Sequence, residues 1–192
     1  MSDRAELLAK RRVYEGKILR IDVDRVRLPG GAVTELETIR HPGAAAVVPF
    51  RGDGAIVLVR QYRHAAGGFL LEVPAGKLDP GEDPAACAAR ECGEEIGLRP
   101  HRIEPLGRIL TTPGFTDEVI WLYEGHELEP CSQALEPSEV LEIVELPFAE
   151  ALAAVRDGRI YDAKTVAALL LAADRRGSGS GSPARPAAPG SS

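Results

Sequence analysis

Residues 76–98 read GKLDPGEDPAACAARECGEEIGL, and seven of these positions form one pattern: Gly76, Glu82, Arg90, Glu91, Glu94, Glu95 and Gly97. Four of the seven are carboxylates, and three of those fall within five consecutive residues. Like charges held this close raise one another's pKa and repel unless a cation sits among them. The stretch therefore implies a divalent metal, and a metal implies an anionic group on which it acts. Asp83-Pro84 predicts a helix start, with Asp83 as N-cap and Pro84 at the first helical position. Gly97 predicts its stop. At about 100° per residue, Ala85, Ala89, Cys92 and Ile96 are expected to form an apolar stripe. Glu91 and Glu95 are expected one turn apart on a different face, with Glu94 beside them, converging on a neighbouring cleft. Gly93, which costs a helix interior roughly 1 kcal/mol against alanine, points to a close backbone approach.

Read in this way, the stretch resembles the Nudix box, G-x5-E-x7-R-E-U-x-E-E-x-G-U with U apolar, and every fixed position matches. Cys92 stands at the first U, where an aliphatic residue is more usual, and is small and apolar enough to serve. The resemblance implies a Mg2+- or Mn2+-dependent hydrolase of nucleoside diphosphates linked to another group. It extends back through Phe69–Gly76, FLLEVPAG, which is similar to the approach to the box in ADP-ribose pyrophosphatases. Beyond the box, Thr112-Pro113-Gly114-Phe115-Thr116-Asp117-Glu118 holds a proline in the S/T-P-G context that marks the same group. Nucleoside-diphosphate-sugar hydrolases share that mark, and from the residues alone Pro113-Gly114 is equally a type II turn. The expected reaction is hydrolysis of ADP-ribose to AMP and ribose 5-phosphate. Two alternatives stand beside it: hydrolysis of another nucleoside diphosphate sugar, such as ADP-glucose or GDP-mannose, and a non-catalytic ligand sensor. The intact acid cluster argues against the sensor.

A pyrophosphate linkage is anionic, so a nucleophile approaching phosphorus meets repulsion that a divalent cation removes. Magnesium takes carboxylate and carbonyl oxygens, and Glu91 and Glu95 supply carboxylates. The resemblance adds the backbone carbonyl of Ala75, with Glu94 in a bridging or outer position. It also implies a general base on a loop after the box, where residues 135–143 read LEPSEVLEI. Glu139 matches the loop carboxylate that reaches the metal and takes up or directs the proton of water. Relatives often carry a second acid two residues earlier, where this chain has Pro137, so Glu136 is the alternative base. Arg90 is expected to orient a box carboxylate, and Glu82 to support the set from outside. Arg40 and Arg63 sit at positions of substrate-contacting arginines, whose planar fork matches phosphate oxygens. Lys77, Thr112, Pro113, Gly114 and Glu118 fall where relatives contact the terminal ribose. A surface arginine or a solvated acidic loop would look the same from the residues alone. The four histidines show no metal-ligand spacing and read as background.

The chain has 192 residues, a net charge of −6 and 44% hydrophobic residues. That length allows one domain of about 130–150 residues with extensions. The acidic balance excludes general nucleic-acid binding and leaves phosphate recognition to local arginines and metal. No run approaches the roughly 18 apolar residues of a membrane span, and the polar start carries no signal-peptide pattern. Cys87, Cys92 and Cys131 lack zinc-ligand spacing and read as reduced thiols. A cytoplasmic protein with no nucleic-acid or membrane partner is expected.

Residues 1–12 read as a short polar helix. From Val13 to Arg40 antiparallel strands are expected, with Leu19, Ile21 and Val23 alternating against polar residues and Pro29-Gly30-Gly31 turning the chain. Residues 44–50 and 55–59 flank the turn at residues 51–54 and read as a buried pair. Strands are expected near 102–111, 118–124 and 140–146, and helices near 148–157 and 163–173. The tail GSGSGSPARPAAPGSS from Gly177 has little apolar surface to bury and is expected to be disordered. This order implies an α+β fold, a mixed sheet with helices on its faces. The resemblance specifies the Nudix α/β/α sandwich, preceded by a small N-terminal antiparallel sheet exchanged across a homodimer. The expected division is 1–42 for the N-terminal strands, 43–176 for the hydrolase domain and 177–192 for the tail.

Overall fold

The computed structural model describes residues 3–17, 19–137 and 139–177, so the expected disorder of the tail falls, beyond Gly177, outside the described residues. Strands β1 (Glu6–Glu15), β2 (Arg20–Arg27) and β3 (Val33–Arg40) form an antiparallel sheet in the order β1-β2-β3. The helix expected over residues 1–12 is therefore a strand from Glu6 onward. Its cause is charge across the strands. Asp22 of β2 is buried and pairs with Lys10 and Arg12 of β1 and with Arg40 of β3, a set that extended neighbours bring side by side. The buried residues of β2 are Asp22, Asp24 and Val26, not the expected apolar set. Leu19 is exposed, and Ile21 and Val23 are half-buried.

Strand β4 (Ala44–Pro49) is buried along its whole length, as a strand covered on both faces should be. It runs parallel to β9 (Val119–Pro130) on one edge and antiparallel to β7 (Ala75–Lys77) on the other. With β8 (Leu98–Leu110) they make a mixed sheet in the order β7-β4-β9-β8. Strand β5 (Ala55–Arg63) instead centres an antiparallel sheet between β10 (Leu141–Pro147) and β6 (Gly68–Glu72). Both β4 and β5 are buried, but they are not the mutual pair expected from the turn between them. The edges of β4 are already taken by β9, by β7 and by the carbonyl of Pro74. The two strands meet at the isolated bridge between Phe50 and Ile56.

Alternation along these strands supplies two cores. Ala46, Val48, Ile56, Leu58, Ile120 and Leu122 pack with residues of α2 (Phe148–Arg156) and α3 (Ala163–Gly177). Ala45, Val47, Val57, Val59 and Tyr123 face the other way, toward α1 (Pro84–Ile96). Successive side chains of a strand point to opposite faces, so strands apolar on both faces require helices on both. The result is the expected α/β/α sandwich with a small sheet before it. On α1 the buried residues are Cys87, Ala88, Cys92, Gly93, Glu95 and Ile96. Ala88 takes the place expected for Ala89, because the buried face is centred nearer Glu95, whose carboxylate finds a backbone partner inside. Gly93 does meet a close neighbour: a Cβ there would lie 3.2 Å from Cys131 Sγ. Among the described residues no helix is long and apolar enough to cross a membrane.

Candidate active site

Helix α1 borders a cleft of about 690 Å3, a size usual for small-molecule sites. Asp83 sets its start by accepting from the backbone N–H groups of Ala85 and Ala86 at 2.9 and 3.2 Å. Gly97 sets its end, in the left-handed region at φ 66°. Carbonyls at that end need donors from outside the helix. The next loop supplies them: Ala134 N–H donates to Glu94 O, Gln133 Nε2 to Glu95 O and Cys131 N–H to Gly97 O. This docking brings Glu136 and Glu139 to the cleft.

Glu91, Glu94, Glu95, Glu136 and Glu139 line the cleft, as does Ala75. Glu95 is 2% exposed and accepts from Ala75 N–H at 3.1 Å. Burial pushes its pKa up to about 8; the Ala75 hydrogen bond opposes this, and the charges of Glu91 and Glu139 add to it. Burial also raises Glu91, with Arg90 opposing and Glu94 and Glu139 adding. The Glu91 carboxylate lies against Gly76, where an added Cβ would sit 1.9 Å from Oε1. Gly76 is outside the left-handed region, so this glycine provides space for a carboxylate.

Arg90 holds the set together. Its Nε and Nη2 donate to Glu82 at 2.8 and 3.0 Å, and its Nη1 to Glu91 at 2.7 Å and Glu94 at 2.9 Å. Arg90, with the N–H of Asp79, brings Glu82 down to about 2. On the loop, Glu139 N–H donates to Glu136 O, and Glu136 N–H donates to Glu139 Oε2 at 2.8 Å. Pro137 thus sits in a tight turn that keeps both candidate bases at the cleft. This side of the site carries several carboxylates and Arg90 to offset them, with burial disfavouring the charge of Glu91 and Glu95. Oxygen-only donors of this kind suit a hard divalent cation. The residues present fit such a metal, with Glu91, Glu95, Ala75, Glu94 and Glu139 as its candidate holders.

The cleft also has a basic side. Arg63 donates to Glu72 through Nε at 2.9 Å and Nη2 at 2.8 Å, and Lys164 donates to the same carboxylate. Burial alone would raise Glu72, but Arg63 and Lys164 outweigh it and leave the pKa lowered. Asp162 precedes α3 and accepts from Thr165 N–H and Oγ1 and from Lys164. His41 Nδ1 accepts from Gly43 N–H at 3.1 Å, which leaves Nε2 facing Glu118 at 3.4 Å. Thr111 Oγ1 donates to the other oxygen of Glu118 at 2.7 Å.

Of the substrate contacts expected from sequence, Arg63, Lys77 and Glu118 line the cleft. Arg40 is not among the lining residues. Its guanidinium is taken up by Asp22, Asp24 and Asp117, tying the N-terminal sheet to the segment before Glu118. Thr112, Pro113 and Gly114 are likewise absent from the lining; Thr111 and Glu118 on either side reach it. His41, Gln61, Asp162 and Lys164, none of them expected from sequence, also line the cleft, and Glu72 pairs with Arg63 and Lys164 there. His41, expected as background, lines the cleft beside Glu118. Asp162 and Thr165 carried a readable cap spacing, whereas nothing in the sequence sets Lys164 apart from a surface lysine. A separate group on β8 and β9, Glu104, Glu124 and His126, also offers ligand atoms within 4.8 Å of one another. Arg102, Arg175 and Arg176 already pair with its carboxylates, and it lies outside this cleft.

The family described as NUDIX domain matches residues 39–169. A methanol dehydrogenase activator of Bacillus methanolicus is 41% identical over 159 residues, covering 82% of this chain and 86% of that protein. An ADP-ribose pyrophosphatase of Bacillus subtilis (strain 168) is 35% identical over 164 residues, covering 84% and 89%. A GDP-mannose pyrophosphatase of Yersinia pestis (strain Pestoides F) is 36% identical over 155 residues, covering 74% and 77%. The fold is shared with a crystal structure of an ADP compounds hydrolase at a TM-score of 0.81 and 23% identity, over 92% of this chain and 96% of that one.

Proposed function

We propose, from the premise that this chain belongs to the Nudix family, that it hydrolyses the pyrophosphate bond of ADP-ribose to AMP and ribose 5-phosphate, using Mg2+. The observation that carries this reading is the convergence of Glu91, Glu94, Glu95 and Glu139 on a cleft that also holds Arg63 and Lys77. When bound, the cation offsets phosphate charge and lowers the pKa of water. Glu139, held by the N–H of Glu136, takes the proton of the attacking water on its carboxylate. Arg90 keeps Glu91 and Glu94 in place. Arg63 presents to phosphate the part of its fork not engaged by Glu72. Glu118, braced by Thr111 and His41, accepts from hydroxyls of the terminal sugar. An acidic wall for metal and a basic wall for phosphate together support a doubly charged linkage as substrate.

A second reading rests on the likeness to the GDP-mannose pyrophosphatase, since the sugar pocket is formed by side chains outside the box. Measuring kcat/KM for ADP-ribose, ADP-glucose and GDP-mannose with Mg2+ separates the two. ADP-ribose is expected to lead; a lead for GDP-mannose would replace the first reading with the second. The N-terminal sheet, residues 1–42, is proposed as the dimer contact of a hydrolase unit spanning 43–176. Leu7, Val13, Tyr14 and Val33 stand exposed on it, and sedimentation of the whole chain as a monomer would refute that role. Three free thiols support a reducing, cytoplasmic location.

A further inference from the structure

A segment that starts at Cys131 carries Glu136 and Glu139 to the cleft, and few contacts fasten it to the end of α1. Gln133 Nε2 donates to Glu95 O at 2.6 Å. Beside it, the backbone N–H groups of Ala134 and Cys131 donate to Glu94 O and Gly97 O at 2.9 Å each. The Cys131 thiol adds only a long contact, 3.8 Å from Gly93 O. The next tie along the chain is Tyr62 N–H to Val140 O at 2.9 Å. Among the described residues, the hydrogen bonds of the turn between these anchors join Glu136 and Glu139 to each other. Leu135 and Val140 are exposed, so packing adds little hold. Taking the reaction to be the one proposed above, we propose that Gln133 is a positioning residue for it, fixing where the turn with Glu136 and Glu139 stands relative to Glu91 and Glu95.

The acceptor accounts for the strength of this tie. Glu95 O lies in the last turn of α1, where carbonyls lack partners within the helix and form its negative end. Glu95 is thereby held at two points, its carboxylate by Ala75 N–H at 3.1 Å and its carbonyl by Gln133. A candidate metal holder and the turn with the candidate bases thus share one residue as support. Gly97 allows the close crossing: a Cβ there would lie 3.2 Å from Cys131 O and 3.9 Å from Gln133 Cβ. Helix α1 keeps its own cap at Asp83 and its own buried face, so loss of the Gln133 bond frees the turn and leaves the helix in place. Gln133 is exposed, and shortening it opens no core cavity.

Gln133→Ala removes the donor, and two measurements read the consequence. Amide hydrogen exchange, resolved by NMR on metal-free protein, is expected to quicken at Ala134 and Glu136 by roughly 3- to 10-fold, the range of one neutral hydrogen bond. The amides inside α1 are expected to exchange as in the wild type. With ADP-ribose and Mg2+, kcat is expected to fall by roughly the same 3- to 10-fold, with KM unchanged. Gln133→Lys restores an N–H donor on a side chain of similar reach and is expected to recover most of both losses. Wild-type exchange at Ala134 and Glu136 in Gln133→Ala overturns the proposal, as does a wild-type kcat despite faster exchange. A raised KM at unchanged kcat, or faster exchange throughout α1, overturns it too, as does a Gln133→Lys protein as impaired as Gln133→Ala. If the wild type cleaves no nucleoside diphosphate sugar, the reaction assigned above fails, while the exchange rates still decide whether Gln133 holds the turn.

Discussion

Replacing Gly76 by alanine separates the site from the fold that holds it. The new Cβ would lie 1.9 Å from Glu91 Oε1, 2.0 Å from its Cδ and 2.4 Å from Oε2. Ordinary contact begins near 3.4 Å, so the carboxylate must retreat by about 1.5 Å. That movement draws it away from Arg90, now 2.7 Å away, and from the position shared with Glu95 and Glu139. Misplacing a reacting or ligating group by about 1 Å costs on the order of 100-fold in rate, so kcat is expected to fall at least that far. Stability should fall only moderately. The clashing atoms are the end of a flexible side chain, Gly76 has no positive φ, and the lost charged contact to Arg90 is worth about 1.5–3 kcal/mol. At about 2–4 °C per kcal/mol for a domain of this size, that is a Tm shift of about 3–12 °C. Steady-state hydrolysis with Mg2+, paired with calorimetric Tm, reads both quantities. Activity within about twofold of wild type would mean that Glu91 can leave its place without consequence and that the space at Gly76 does not set the site.

Three further expectations concern the supports of the site. Arg90→Lys cannot reach Glu82, Glu91 and Glu94 with one ammonium, so kcat is expected to drop at least about tenfold; unchanged steady-state rates would contradict the orienting role. Thr165→Val keeps shape but removes the acceptor of the buried Val73 N–H at 3.0 Å, and should cost about 1–3 kcal/mol, read by urea unfolding; no loss would mean that N–H has another partner. In metal-free protein the pH dependence has two opposed parts. Glu82, lowered from 4.5 to about 2, contributes stability present above pH 4.5 and lost as pH falls toward 2. Glu95, raised from 4.5 to about 8, contributes stability that is full below pH 4.5 and lost as pH rises through 8. Unfolding in a chelator should therefore show declining stability from pH 4.5 to 8, and Mg2+ should restore it most at the alkaline end. A flat metal-free profile across that window would sink the assignment of Glu95 as a buried, charge-burdened carboxylate.

Much of the site was legible because its physics is local. Asp83, Pro84 and Gly97 bound one helix, and the spacing of Glu91, Glu94 and Glu95 along it is enough to bring their carboxylates to one cleft. Residues 44–50 and 55–59 were legible as buried, but their partners were not. Pairing depends on which edges distant strands occupy, and β9 claims β4 from far along the chain. On β1, the helix-like composition of residues 6–12 was overridden by carboxylates in β2 that the local segment does not contain. The same limit explains the arginines. Arg40 and Arg63 look alike in sequence; the structure gives one to Asp22, Asp24 and Asp117 and the other to Glu72 at the cleft. Lys164 and His41 were invisible because a lone cation or imidazole acquires meaning from neighbours far away in sequence.

The carboxylates on and beside α1 are proposed to hold a metal that drives cleavage of a sugar-linked diphosphate. Incubating the purified chain with ADP-ribose and Mg2+, and following AMP and ribose 5-phosphate beside a Glu95→Gln control, tests it most directly. Equal amounts of the two products, abolished by chelator and by Glu95→Gln, are predicted. No AMP above the control at any Mg2+ concentration would mean that these carboxylates do not serve this reaction.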